Sequence, residues 1–323
     1  MGETLHIIEK DPQLFKLWNC LSLERKKKIK EIDEGVRVPD FLCDTIFKGI
    51  FDPEINGERL SRFISSILGK EVKVIHSLGN EGFHHSTYSK GIILDIVVQF
   101  EDGSIGNVEI QRMGVAFPSK RAAVYSANIV TRQFATIHGE MKSELDYDIV
   151  KPVYTIVIME KSLKVFHESR DYIHHFKQRS DTGLELELVQ YYDYICLDMF
   201  KKKNPRVASE LESWLKFFTI EKVEEMQMFL AENPGFQSVY DYAIMMTKDR
   251  EGLLSMLSEY FENEDIVASL NKTNESMVKR LEQENIQLKD EIIGLQDSNI
   301  EKDRVIDKKD AEIQRLKELL EKK

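Results

Sequence analysis

Residues 91–100 read GIILDIVVQF and are almost wholly apolar apart from Asp95. A run of that length and character forms a strand buried on both faces. A carboxylate in its middle costs several kcal/mol unless a partner or a ligand compensates it. The chain must therefore build a core sheet and provide for one acid inside it.

The neighbouring segments supply the rest of that core. Leu60, Phe63, Ile64, Ile67 and Leu68 recur at helical spacing, and Gly69 stands where a C-terminal cap belongs. VKVIHSL (72–78) reads as a strand, Ile105–Gln111 alternates as another, 117–139 is a long helix, and VYTIVIM (153–159) is a second buried strand. The order of helix, three strands, helix and strand is that of an α/β or α+β core.

Composition divides the chain into a polar, helical lead-in (1–40), this α/β region (41–200), a helical region (201–268) punctuated by Pro205 and Asn233-Pro234-Gly235, and a tail (269–323). From residue 271 onward there is no proline or aromatic residue. Leu281, Leu288, Leu295 and Leu316 fall at d positions of a heptad, interrupted by Lys302 and Lys309. The a positions are Val278, Asn285, Ile292, Asn299, Ile306, Ile313 and Leu320. Leu at d with β-branched residues at a favours two parallel strands, and Asn at a sets the register. A C-terminal coiled coil that makes a homodimer through residues 271–323 is expected, the alternative being a single solvated helix.

Several classes are excluded. With 42% hydrophobic residues the chain is not disordered, and no run of about 18 uncharged apolar residues could span a bilayer. MGETLHIIEKD lacks the pattern of a secretory signal. Cys20, Cys43 and Cys196 are far apart, so neither a zinc site nor a disulfide framework is expected, and a cytoplasmic location fits. A net charge of -11 argues against coating nucleic acid by bulk charge. Any such site must be local and metal-assisted. The basic run Arg25-Lys26-Lys27-Lys28 reads as a solvated helix face.

The chemistry concentrates around Asp95. Alternation puts Asn107, Glu109 and Gln111 on one face of their strand. If Glu101-Asp102-Gly103 is a three-residue loop, Phe100 pairs with Ser104 and Asp95 lies opposite Glu109. A two-residue Asp102-Gly103 loop instead sets Asp95 opposite Ile110. The sequence is compatible with both. Two adjacent carboxylates call for a cation, and hard oxygen ligands suit Mg²⁺ or Mn²⁺, which could activate water against a phosphodiester. Gln111 could orient that water or a phosphate oxygen. The bland alternative is a surface hairpin with solvated acids.

In the helix that follows, Ala123, Ala127, Val130, Phe134 and Ile137 form an apolar stripe expected to face the sheet, with Arg121, Tyr125, Asn128 and Arg132 opposite. No acid occurs from Gln111 to Gly139, while Arg112, Lys120, Arg121 and Arg132 do. That reads as a DNA phosphate-holding surface, the alternative being pairing with acids elsewhere.

FLCDTIFKGIF (41–51), SSILG (65–69), LDIVVQFEDGSIGNVEIQ (94–111) and KRAAVYSANIV (120–130) together resemble the PD-(D/E)XK nuclease family transposases, which are similar to bacterial recombination-promoting nucleases. The resemblance spans about 40–160, and more weakly extends to about 265. It implies a restriction-endonuclease-like mixed sheet flanked by helices, and Mg-dependent DNA cleavage. Asp95, Glu109 and the Ile110 carbonyl would be metal ligands, with Arg121 and Tyr125 on the flanking helix. Asp44 and Lys48 match an upstream motif without an assigned role. Leu94 replaces the motif's proline, and Gln111 replaces its Lys, as is common in this family. The neutral amide weakens charge stabilisation in the transition state.

The expected function is a metal-dependent DNA endonuclease related to transposases. Its rivals are a DNA-binding protein of the same fold that does not cut, and a coiled-coil interaction protein. His84-His85 and His174-His175 are adjacent pairs pointing to opposite faces of a strand, and are set aside as ligands. Tyr191-Tyr192-Asp193-Tyr194 reads as strand packing.

Overall fold

The computed structural model of the protein describes residues 2–78, 95–113, 119–140, 147 and 149–264, with isolated positions between 268 and 317. Residues 91–94 of the buried run, His84-His85 and most of the heptad positions lie outside them. The chain forms two units, 1–262 and 263–323.

The first unit opens with α1 (Glu3–Lys10), α2 (Pro12–Cys20), α3 (Leu23–Asp33), α4 (Asp44–Ile50) and α5 (Gly57–Leu68). Caps set their ends. The Asp11 side chain accepts from the Gln13 and Leu14 amides, and Gly69, left-handed at φ 64°, closes α5 where the periodicity stops. There follow β1 (Val74–Ser77), β2 (Ile96–Phe100), β3 (Ile105–Met113), α6 (Ser119–Glu140), β4 (Val153–Lys161), β5 (Ile173–Phe176) and β6 (Gln190–Cys196). The unit ends with α7 (Leu197–Lys203), α8 (Glu210–Thr219), α9 (Val223–Glu232), α10 (Gln237–Met246) and a helix over 250–264, α11.

The strands make one six-stranded sheet in the order β1-β2-β3-β4-β6-β5. The β3–β4 and β4–β6 pairs are parallel, and β1–β2, β2–β3 and β5–β6 are antiparallel. The order of segments implies an α/β or α+β core, and within that class this is a mixed sheet, as the resemblance implies.

Ile96, Val98, Val108, Ile156, Ile158 and Ile195 face a large core shared with α1–α5 and α7–α11. Val97, Val153, Val157 and Met159 face a smaller one with α6. The breaks in composition at residues 40 and 200 are not breaks in packing. Phe41 lies 4.3 Å from Phe217, and Phe51 stacks on Phe63 at 4.6 Å and meets Trp214 at 4.9 Å, measured between ring centroids. Each such buried ring contributes about 1.5–3 kcal/mol, so the helices before and after the sheet stabilise one another across it.

The rotation of α6 differs from the expected one. Ala122, Tyr125, Ser126, Asn128 and Ile129 are buried, whereas Ala123 and Ala127 are exposed. Val130 and Phe134 are half-buried, and the Ile137 side chain lies outside the described residues. The reason is the surface below: β3 and β4 present Asn107, Glu109 and Thr155 to α6, all buried. A polar sheet face is matched by a partly polar helix face. Small Ala122 and Ser126 permit close approach, and Ser126 Oγ accepts from Gln190 Nε2 at 3.0 Å.

In the second unit the described positions from 268 onward are helical and exposed, among them the heptad positions Leu288, Lys302, Lys309 and Ile313. Among the described residues no helix is long and apolar enough to cross a membrane.

Candidate functional site

The β2–β3 hairpin decides the central geometry. Ile96 pairs with Val108, Val97 with Asn107, Val98 with Gly106 and Gln99 with Ile105. The Phe100 amide donates to the Ser104 carbonyl at 2.8 Å and the Gly103 amide to the Phe100 carbonyl at 2.9 Å. Gly103 is left-handed at φ 81°, and Asp102 Oδ1 accepts from the Ser104 amide at 2.9 Å. This is the three-residue loop. One step beyond the Ile96–Val108 pair, Asp95 therefore stands opposite Glu109.

The two acids are held by short local contacts. Asp95 Oδ2 accepts from the Ile110 amide at 2.9 Å, and Glu109 Oε1 accepts from the Asp95 amide at 3.4 Å. Glu109 is only 1% exposed. Burial, reinforced by the Asp95 charge, pushes its carboxyl up to about 8, against which the Asn107 amide and the Arg121 charge act weakly. Burial also raises Asp95, opposed by Lys48 and the Ile110 amide. Burial thus disfavours the charged form of both acids despite the cations nearby. Beneath α6 nearby, Thr155 Oγ1 and Asn128 Oδ1 are buried without a hydrogen-bond partner.

Helices from both layers reach this pair. From the large core, α4 brings Lys48, whose Nζ lies 2.8 Å from Asp44 Oδ1 and 3.5 Å from Asp95 Oδ1. The Asp44 amide at the start of α4 donates to Glu259 Oε2 of α11 at 2.8 Å. From the other layer, α6 brings Arg121 and buried Tyr125, with Arg121 Nε donating to the Tyr125 hydroxyl at 2.7 Å. Burial raises the Tyr125 phenol, opposed by Arg121, and the charges of Glu109 and Asp95 add to the rise. Gln111 is half-buried two residues beyond Glu109 on the same strand face.

The remaining cations do not gather with them. Lys120 is exposed at the start of α6, and Arg132 lies eleven residues after Arg121, about 16 Å along the helix. Arg112 corrects the expectation of a phosphate contact. It is 9% exposed; its guanidinium hydrogen-bonds Asp40, lies 3.2 Å from Glu160 and 3.3 Å from Glu259, and faces the Tyr260 ring at 5.4 Å. Its single positive charge is shared among three acids. The physical reason is alternation: one residue beyond Gln111, its side chain leaves the strand on the opposite side.

The basic run of α3 is engaged locally. Arg25 lies over Tyr260 at 4.4 Å, Lys27 pairs with Glu31, and Lys28 pairs with Glu24. His175 meets Asp193 at 2.5 Å and His174 stacks on Phe166 at 4.8 Å, on opposite faces of β5.

Two cross-strand carboxylates, an upstream Asp-x3-Lys on α4 and an Arg-x3-Tyr on the flanking helix thus meet at one place on the sheet. A family model for PD-(D/E)XK nuclease family transposases matches residues 41–273, well over half of the chain. The chain belongs to that family. No curated protein and no solved structure matches it. The mixed sheet between helical layers agrees with the PD-(D/E)XK fold, and membership makes this a nuclease- or transposase-related protein.

The family implies a divalent metal, and the donor chemistry of this PD-(D/E)XK site fits one. Two hard oxygen groups stand opposite each other where burial disfavours their charged forms, a setting that a Mg²⁺ or Mn²⁺ ion would relieve. Among the described residues no three His, Cys, Asp or Glu side chains form a closed cage. Mg²⁺ keeps several water or phosphate ligands, which two carboxylates permit.

Sequence reasoning left out Glu259 and Asp40 and gave Lys48 no role. Glu259 carries no sequence signature: it is one acid on a helix whose neighbours Met256, Leu257 and Tyr260 are core.

Proposed function

We propose that the protein is a cytoplasmic, Mg²⁺- or Mn²⁺-dependent DNA endonuclease related to transposition or recombination. The observation that supports this reading is the Asp95–Glu109 pair, two carboxyls set opposite each other across the hairpin, both raised by desolvation, with the Asp95 charge also raising Glu109. Asp95, Glu109 and the Ile110 carbonyl would hold the metal, which when bound supplies Lewis-acid polarisation of a phosphodiester and of water. The Ile110 amide orients Asp95, and the Asp95 amide orients Glu109. Gln111 would orient the attacking water or a phosphate oxygen, and Arg121, steadied by Tyr125, would hold a backbone phosphate. Lys120 and Arg132 would extend that hold along α6. The tail would join two copies through residues 271–323, giving two sites for two strands.

Plasmid nicking across divalent metals tests the reading. Asp95→Ala and Glu109→Ala are expected to abolish metal-dependent nicking while leaving the folded state intact by circular dichroism. Nicking by both variants at the wild-type rate removes these acids from the mechanism. A second reading, a protein that holds DNA without cutting it, is favoured by the neutral Gln111. Its mark is salt-dependent DNA binding with no nicking in Mg²⁺ or Mn²⁺.

A further inference from the structure

In the superfamily pattern a Lys stands where this chain has Gln111, so the strand that carries Glu109 delivers no ammonium to the site. The structure delivers one from elsewhere. Lys48 Nζ lies 3.5 Å from Asp95 Oδ1, and its side chain is a third exposed, so the charge stands beside Asp95 and is open to solvent. Asp44, one helical turn earlier, holds the same Nζ at 2.8 Å and limits where it swings. The helix beneath is fixed: Ile46, Phe47 and Ile50 are buried in the large core, Thr45 hydrogen-bonds Ser255, and the Asp44 amide is taken by Glu259. An ammonium on a fixed element, within one ligand's reach of the metal-binding acid, has the placement that charge stabilisation requires.

We infer that Lys48 is the catalytic cation of this enzyme, taking from α4 the place that Gln111 leaves empty of charge on β3. The inference rests on the endonuclease reading above. In that reaction a water oxygen forms a bond to phosphorus and the bond from phosphorus to the leaving sugar oxygen breaks. The water gives up a proton to solvent and the leaving oxygen takes one from solvent. Lys48 exchanges no proton; it is a fixed positive charge beside the phosphate oxygens as negative charge accumulates on them. Gln111, a donor and acceptor without charge, is left to orient rather than to neutralise. A plain counter-ion for Asp95 is the competing role, and it predicts a different response to metal.

The test compares wild type, Lys48→Met and the double variant Lys48→Met/Gln111→Lys in plasmid nicking. It also measures Mn²⁺ affinity in the absence of DNA, by the electron paramagnetic resonance of the free ion. Lys48→Met is expected to slow nicking roughly 100-fold, as loss of one charge-stabilising donor does. It should bind Mn²⁺ at least as tightly as wild type, because a cation competing for Asp95 is gone. Restoring an ammonium with Gln111→Lys is expected to recover roughly 10-fold of the rate. Thermal melting confirms that all three proteins are folded. Nicking unchanged in Lys48→Met overturns the inference and leaves the endonuclease reading standing. Loss of Mn²⁺ binding together with nicking also overturns it, since Lys48 then only holds the acids. A wild-type protein that never nicks removes both readings at once.

Discussion

Replacing Glu109 by Gln removes a titrating carboxyl from a site that is 1% exposed while preserving its shape. The folded protein without metal keeps a proton on Glu109 up to about 8, whereas the unfolded chain releases it near the ordinary value of 4.5. Between those values the folded state binds more protons than the unfolded state, so stability falls as pH rises. At about 1.4 kcal/mol per pH unit the interval sets a ceiling of about 5 kcal/mol. Relaxation around the charged pair brings the expected effect to about 1–3 kcal/mol, or roughly 3–10 °C in Tm for a unit of this size. The assay is thermal melting in EDTA from pH 5 to 8.5. Wild type should lose stability across that range, the Glu109→Gln variant should lose much less, and the two curves should meet near pH 5. Mg²⁺ added at pH 8 should restore wild type and leave the variant unmoved. Parallel pH curves would refute the claim that Glu109 is a desolvated, cation-seeking carboxyl.

Three further outcomes are expected. Arg112→Met strands Asp40, Glu160 and Glu259 and should cost about 3–5 kcal/mol in urea unfolding, with no change in the salt dependence of DNA binding; a salt slope reduced by about one would return Arg112 to the DNA surface. Gly103→Val puts a β-branched side chain at φ 81° and should destabilise by about 1–2 kcal/mol with weaker Mn²⁺ binding; an unchanged melting curve would show that the hairpin does not need this conformation. A chain ending at residue 268 should be monomeric by light scattering and the full chain dimeric; a monomeric full chain ends the coiled-coil reading.

Much of the hairpin was legible. The buried run, the alternation of β3 and the capping Gly69 are local patterns, and local patterns follow from side-chain period and backbone sterics alone. Arg112 shows what counting charge along a stretch leaves out: alternation sends Gln111 and Arg112 to opposite faces, and Arg112 meets acids there. The facing of α6 was not legible from its own stripe. The helix turned its polar side inward because β3 and β4 offered it Asn107, Glu109 and Thr155.

What this sequence determined by itself is the set of central elements (the helix before the sheet, β1–β4 and α6) and the presence of one acid beside a buried strand that had to be compensated. Which residues stand against it was a tertiary decision. Two loop lengths fitted the same residues, and only the closed hairpin selected Glu109 over Ile110. Lys48 lies 47 residues before Asp95, and Glu259 lies 215 residues after the amide it holds. Such separations leave no periodicity to read, because a charge finds its partner through the packing of whole layers rather than through the spacing of neighbours.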